Sequence, residues 1–105
     1  MPDAPWCESA CWLSGVVCDP GTNPSVLRAE LTKLGISAGV MWKPLHKQKP
    51  YAGSPRSALD VCDGIWDRIV TLPCSASIGD TEVSRVISAL REATPRAIAA
   101  ASEAA

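Results

Sequence analysis

The sequence contains no apolar run close to the ~18 residues that a membrane-crossing helix requires, so no bilayer span and no membrane partner are predicted. It lacks a surplus of either charge. Ten basic and eleven acidic residues leave a formal net charge of −1, which gives no global field for nucleic acid or an anionic membrane. The opening Met-Pro-Asp-Ala-Pro-Trp has neither the basic nor the apolar region of an export signal, and a cytoplasmic chain is expected. Five cysteines (Cys7, Cys11, Cys18, Cys62 and Cys74) include no C-x-x-C pair, and their odd number argues against a disulfide framework. The sole histidine, His46, has no partner at metal-ligand spacing, so no metal site is expected, since structural zinc needs four placed ligands. Cys7 and Cys11, four apart, would share a helix face; Cys18 and Cys62 sit among apolar residues and read as small core side chains.

What is present describes a globular chain. Of its 105 residues 47% are apolar and 20% charged, enough for one small, marginally stable domain. Residues 1–11 hold two prolines and no periodicity, an irregular lead-in. Trp12 to Cys18 is a predicted strand, closed by the turn Asp19-Pro20-Gly21. Asn23-Pro24 supplies a helix N-cap followed by proline at the first helical position. Leu27, Leu31 and Leu34 form the stripe of that helix, and Gly35 ends it. From Ile36 to Trp42, apolar Ile36, Ala38, Val40 and Trp42 alternate with Ser37, Gly39 and Met41, predicting a strand with one buried face. Pro44, Pro50, Gly53 and Pro55 then punctuate a loop over 43–56.

From Ser57 the spacing Ala58, Val61, Cys62, Ile65, Trp66, Ile69 predicts an amphipathic helix, weakened by Gly64. Val70 to Leu72 reads as a short strand stopped by Pro73. Asp80 is the expected cap of a last helix, whose Val83, Val86, Ile87 and Leu90 form the buried stripe. After Pro95 the alanine-rich chain shows no apolar stripe and reads as a frayed tail over 94–105. The whole predicts a two-layer α+β domain over 12–93, with a short β-sheet and about three helices.

Between Glu30 and Asp60 there is no acidic residue, whereas Lys33, Lys43, Lys47, Lys49 and Arg56 fall in that interval with His46, Trp42 and Tyr51. The 43–56 loop is therefore locally positive. Fixed by prolines, such a loop can hold ammonium groups near an anionic ligand, with Trp42 or Tyr51 as a flat apolar face. The plainer reading is a solvated connection. Single-stranded nucleic acid also takes cations with aromatic platforms, but one loop in a weakly acidic chain argues against it.

Gly35-Ile36 followed by Trp42-Lys43-Pro44-Leu45-His46-Lys47-Gln48 resembles the G-I…W-K-P-[LM]-H-x-Q segment of the DegT/DnrJ/EryC1/StrS aminotransferases. Leu72-Pro73, the Glu82 to Leu90 stretch, Trp12-Leu13 and Asp19-Pro20-Gly21-Thr22 extend that similarity over about residues 5–93, in order and with spacing kept. The resemblance implies the C-terminal small domain of a fold-type I enzyme dependent on pyridoxal phosphate (PLP), which transfers an amino group to a nucleotide-linked sugar. It implies a fragment or split subunit partnered by a large cofactor domain or a homologous subunit, with surface left open to self-association. Matched singly, Trp42, Lys43, His46 and Gln48 would stand near the substrate end of the pocket: Lys43 as a point charge, His46 as a hydrogen-bond donor or an interdomain contact, Trp42 in packing. Gly39 and the Ser9-Ala10-Cys11 string depart from the polar residues common there. None of Lys33, Lys43, Lys47 and Lys49 lies in a segment resembling the family's Schiff-base lysine, so no catalytic residue and no cofactor held by this chain alone are expected. A non-catalytic binding or interaction module using the basic loop is the alternative.

Overall fold

The computed structural model describes residues 5–8, 10 and 12–103. Its elements run β1 (Ser14–Val17), α1 (Pro24–Lys33), β2 (Gly39–Val40), α2 (Asp60–Ile65), β3 (Ile69–Leu72) and α3 (Asp80–Glu103), with 3-10 turns at Leu45–Lys47, Lys49–Tyr51 and Trp66–Arg68. The sheet order is β1-β3-β2, antiparallel at both junctions. This is the small α+β architecture expected. Register places Val16 opposite Val70, and both turn toward the helices; Val17 and Ile69 take the opposite face by the period of two.

Helix α1 forms where local signals demand it. The Asn23 side-chain oxygen accepts from the backbone N–H of Ser25 and Val26, and Pro24 supplies the first helical residue without an orphaned donor. At the other end, the Ile36 N–H reaches the Leu31 carbonyl and the Gly35 N–H that of Thr32, with Gly35 at φ 74°. These paired bonds are a Schellman closure, which needs the left-handed conformation that glycine adopts without strain. Leu31 and Ile36, joined by this closure, are both buried. Leu27 and Leu31 face the core with Val70 of β3 and with Val86, Ala89, Ala93 and Ala97 of α3.

Several expectations need correction. In the last helix Val83 and Ile87, assigned to the buried stripe, are 42% and 43% exposed, and Ala89, Ala93 and Ala97 lie buried with Val86 instead. The strand predicted over 36–42 shrinks to Gly39–Val40, and its apolar phase is not one buried face: Ile36 is buried, yet Val40 and Trp42 are 61% and 65% exposed. Alternation persists there without a neighbour to pair it. The helix predicted through Ile69 ends at Ile65; a tighter turn follows and Ile69 enters β3, because the antiparallel ladder with β1 takes over. Val61, assigned to its apolar stripe, is exposed. Asp80 is the first helical residue of α3 rather than its cap, since the Glu82 carboxylate reaches back to the Gly79 N–H in half a capping box.

The largest correction concerns the end of the last helix. The chain does not fray at Pro95: α3 continues to Glu103. Pro95 lies on the exposed side, as does Arg91, whose carbonyl the proline leaves without a helical donor, so water can serve it. On the opposite side Ala93 and Ala97 are fully buried against α1, and the Ala97 carbonyl accepts from the Asn23 N–H. Glu30 of α1, itself buried, receives Arg96 of α3 at 2.6 Å and Lys33 of its own helix. Alanine spacing here is a packing signal, since small side chains let two helices approach.

Candidate functional site

The basic loop is built by two proline-fixed turns, and the structure brings most of the singled-out residues to it. Pro44 leads into Leu45–Lys47, which carries His46 and Lys47 on successive positions; Pro50 shapes Lys49–Tyr51. Gln48 lies between the two turns, and its side-chain amide donates to the Lys43 carbonyl at 2.7 Å, bracing the loop from within. Arg56 likewise donates to the Ala52 carbonyl. Trp42 stands at the loop entrance, edge-on to Trp12 with ring centroids 5.4 Å apart and planes at 69°. Both rings remain largely exposed, an aromatic pair offered to whatever lies beyond the sheet edge.

Sequence reasoning missed the residue that organises the loop. Asp63, in the middle of α2, receives His46 Nε2 at 2.7 Å and Lys47 Nζ at 3.0 Å on the same carboxylate oxygen, Oδ1. Lys47 also approaches the Trp66 ring at 6.0 Å, so its ammonium is held between a carboxylate and an aromatic face. The Lys47 and His46 hydrogen bonds hold the Asp63 carboxyl below the usual carboxylate range. No pattern in the sequence ties positions 46 and 63; their meeting depends on how the loop folds back over α2. Lys43 and Lys49, by contrast, are exposed and form no ion pair among the described residues.

Two clefts flank the loop. One of about 410 Å³ is walled by Leu45, His46, Tyr51, Arg56, Leu59 and Cys62. A second of about 650 Å³ is mainly apolar and lies between Trp42, Pro44, Val61, Ile65, Trp66 and Ile69. Both fall in the size range of small-molecule sites, and the first joins apolar walls to a guanidinium, a phenol and an imidazole. That combination suits a ligand with both a flat or apolar part and anionic or hydroxyl groups. Gly39, near the loop, is fitted to its neighbour: a Cβ there would stand 2.7 Å from Thr71 Oγ1, so a larger residue would require Thr71 to move.

Among the described residues the cysteines form no cluster. Cys18 is buried and its thiol is pushed up by that burial, and Cys62 is half-buried at the cleft wall. Cys7 is exposed outside any helix, and Cys11 lies outside the described residues, so the shared helix face is not seen. Among the described residues no three His, Cys, Asp or Glu side chains gather as metal ligands, and no helix is long and apolar enough to cross a membrane.

Comparison with known proteins adds two findings. The sequence profile described as the DegT/DnrJ/EryC1/StrS aminotransferase family matches residues 1–91. A protein of Bacillus subtilis (strain 168), named "Putative pyridoxal phosphate-dependent aminotransferase EpsN", is 30% identical over 94 residues, covering 86% of this chain and 24% of that protein. The chain thus spans about a quarter of that relative's length. No solved structure is a significant match to it.

Proposed function

The chain belongs to the DegT/DnrJ/EryC1/StrS aminotransferase family, and from that premise we propose that it forms the substrate-side, C-terminal small domain of a PLP-dependent nucleotide-sugar aminotransferase. In this reading the 43–56 loop and its 410 Å³ cleft meet the nucleotide-sugar, and the amino transfer itself occurs on residues outside this chain. The observation that carries the reading is the loop: four cationic side chains with Trp42 and Tyr51 at a proline-fixed turn, only one of the four held by a carboxylate among the described residues. Lys43 and Lys49 are left to attract a diphosphate, and Tyr51 with Arg56 to receive a base or sugar.

PLP, when bound, supplies an electron sink for amino transfer, and it needs a lysine amine, a carboxylate for the ring nitrogen and a phosphate cup. The chain's own lysines do not fit that role. Lys33 and Lys47 are engaged by the carboxylates of Glu30 and Asp63, and Lys43 and Lys49 are open to solvent rather than desolvated in a pocket. The setting of these four amines supports a cofactor site supplied by another part of the enzyme, with this chain inactive alone. Surface properties point the same way. The Cα radius of gyration is 15.8 Å, against about 13 Å for a compact domain of this length. Trp12, Val40, Trp42 and Val61 are all more than half exposed, an area that a cofactor domain, a homologous subunit or a second copy would cover.

Calorimetric titration of the chain with UDP-glucose tests the proposal. Saturable binding in the millimolar range or tighter, weakened by Lys43→Ala and by added salt, is expected. Neither heat nor a thermal shift at millimolar ligand would remove the pocket role. An absorbance band typical of a lysine–PLP adduct, formed by this chain alone and lost on replacing one of its lysines, would overturn the placement of the cofactor elsewhere.

A further inference from the structure

His46 has two ring nitrogens, and the fold treats them differently. Nε2 lies 2.7 Å from Asp63 Oδ1, a carboxylate held ionised by its two partners and able only to accept. Nε2 must therefore carry the proton. Nδ1 forms no hydrogen bond among the described residues, yet it is not among the buried polar atoms left without a partner, so solvent or a ligand can reach it. The His46 side chain is otherwise mostly covered, 11% exposed, and it lines the 410 Å³ cleft.

We infer that Asp63 is a positioning residue: it fixes neutral His46 as the Nε2–H tautomer, so the imidazole offers Nδ1 to the cleft as a hydrogen-bond acceptor. The hydrogen bond at one ring nitrogen sets the protonation of the other. Toward a ligand His46 would then act as an acceptor, where its sequence context suggests a donor or an interdomain contact. An acceptor at Nδ1 selects a hydroxyl or amine of the ligand rather than a phosphate oxygen, leaving phosphate to Lys43 and Lys49. Lys47 shares the same carboxylate oxygen but is not among the residues that line the cleft. The assignment of a ligand rests on the nucleotide-sugar reading; the tautomer does not.

Because His46 is the single histidine, nitrogen-15 NMR of the full chain, labelled and ligand-free at a pH where the ring is neutral, reads the tautomer directly. The expected spectrum shows one protonated ring nitrogen, Nε2, with its proton slowed in exchange and moved downfield by the carboxylate. Asp63→Leu should lose that proton signal through fast exchange, and Asp63→Glu should restore it. Asn at this position keeps an acceptor and serves as the variant if leucine disturbs folding: its signal should persist but move upfield. A wild-type ring protonated at Nδ1, or a spectrum unchanged by Asp63→Leu in a folded chain, would overturn the inference. If the Nε2–H signal is present and UDP-glucose fails to bind, the pocket reading falls and the positioning role of Asp63 stands.

Discussion

Replacing Ala97 by leucine should unsettle the domain, whereas the same replacement two residues later should not. Ala97 is completely buried where α3 packs on α1, in the same core cluster as Ala93, Leu27 and Leu31, so three further carbons would have to displace packed atoms. Ala99, in the same turn of α3, faces solvent. Overpacking a filled site forces strained rotamers or backbone shifts and costs about 1–3 kcal/mol. Leucine on an exposed helical position is worth within about 0.5 kcal/mol of alanine. For a domain of this length the difference corresponds to a drop of about 5–20 °C in Tm. Urea unfolding followed by the fluorescence of the four tryptophans, with the slope on denaturant unchanged, measures it. Equal midpoints for Ala97→Leu and Ala99→Leu would mean that the helix beyond Pro95 is not docked on α1.

Other outcomes follow from particular residues. Gly35→Ala should lower stability by about 1–2 kcal/mol, since alanine resists φ 74° and its Cβ would stand 2.8 Å from an Arg85 nitrogen; thermal unfolding by circular dichroism reads this, and an unchanged midpoint would refute the strain. Asn23→Ala removes the side-chain acceptor for two helix-end donors and should cost about 1 kcal/mol, while Asn23→Ser or Asn23→Asp should recover most of it. Acid should destabilise the fold through Glu30, whose carboxyl is held low by the Lys33 and then the Arg96 hydrogen bonds, and in the same direction through Asp63. The unfolded chain takes up protons first. These contributions are therefore complete above the ordinary carboxylate range near pH 4.3 and disappear as pH falls through the lower folded values. Urea midpoints between pH 7 and 3 should show this fall, and Glu30→Gln should flatten it; a parallel fall in that variant would count against the Glu30 cluster.

How much of this was readable beforehand divides by the range of the interaction. Helix α1 was legible almost to the residue, because Asn23, Pro24 and Gly35 act on backbone groups within a few positions of themselves. The short strand after Ile69 was legible for the same reason, bounded by Pro73. What failed was decided at a distance. Pro95 and a run of alanines carry no amphipathic stripe, so nothing local announced that Ala93 and Ala97 would be buried by α1. The alternation over 36–42 is a true strand pattern, but only Gly39 and Val40 find β3 beside them. At the site, the cationic loop was plain from composition, and the string from Trp42 to Gln48 pointed to it. Its carboxylate partner was not, because Asp63 lies on another element and shares no spacing rule with His46.

The strand that completes the sheet is the last of the three to be synthesised, yet it lies in the middle. β1 and β2 never touch, so each waits without a neighbour until residues 69–72 slide between them. On the ribosome, a nascent chain stopped before that point would own two orphan strands and a helix with no floor under Leu31. Pairing β3 with β1 closes a long loop, an arrangement expected to slow folding relative to a hairpin of the same size. A break anywhere in those four residues would dissolve the whole β layer at once instead of trimming its border.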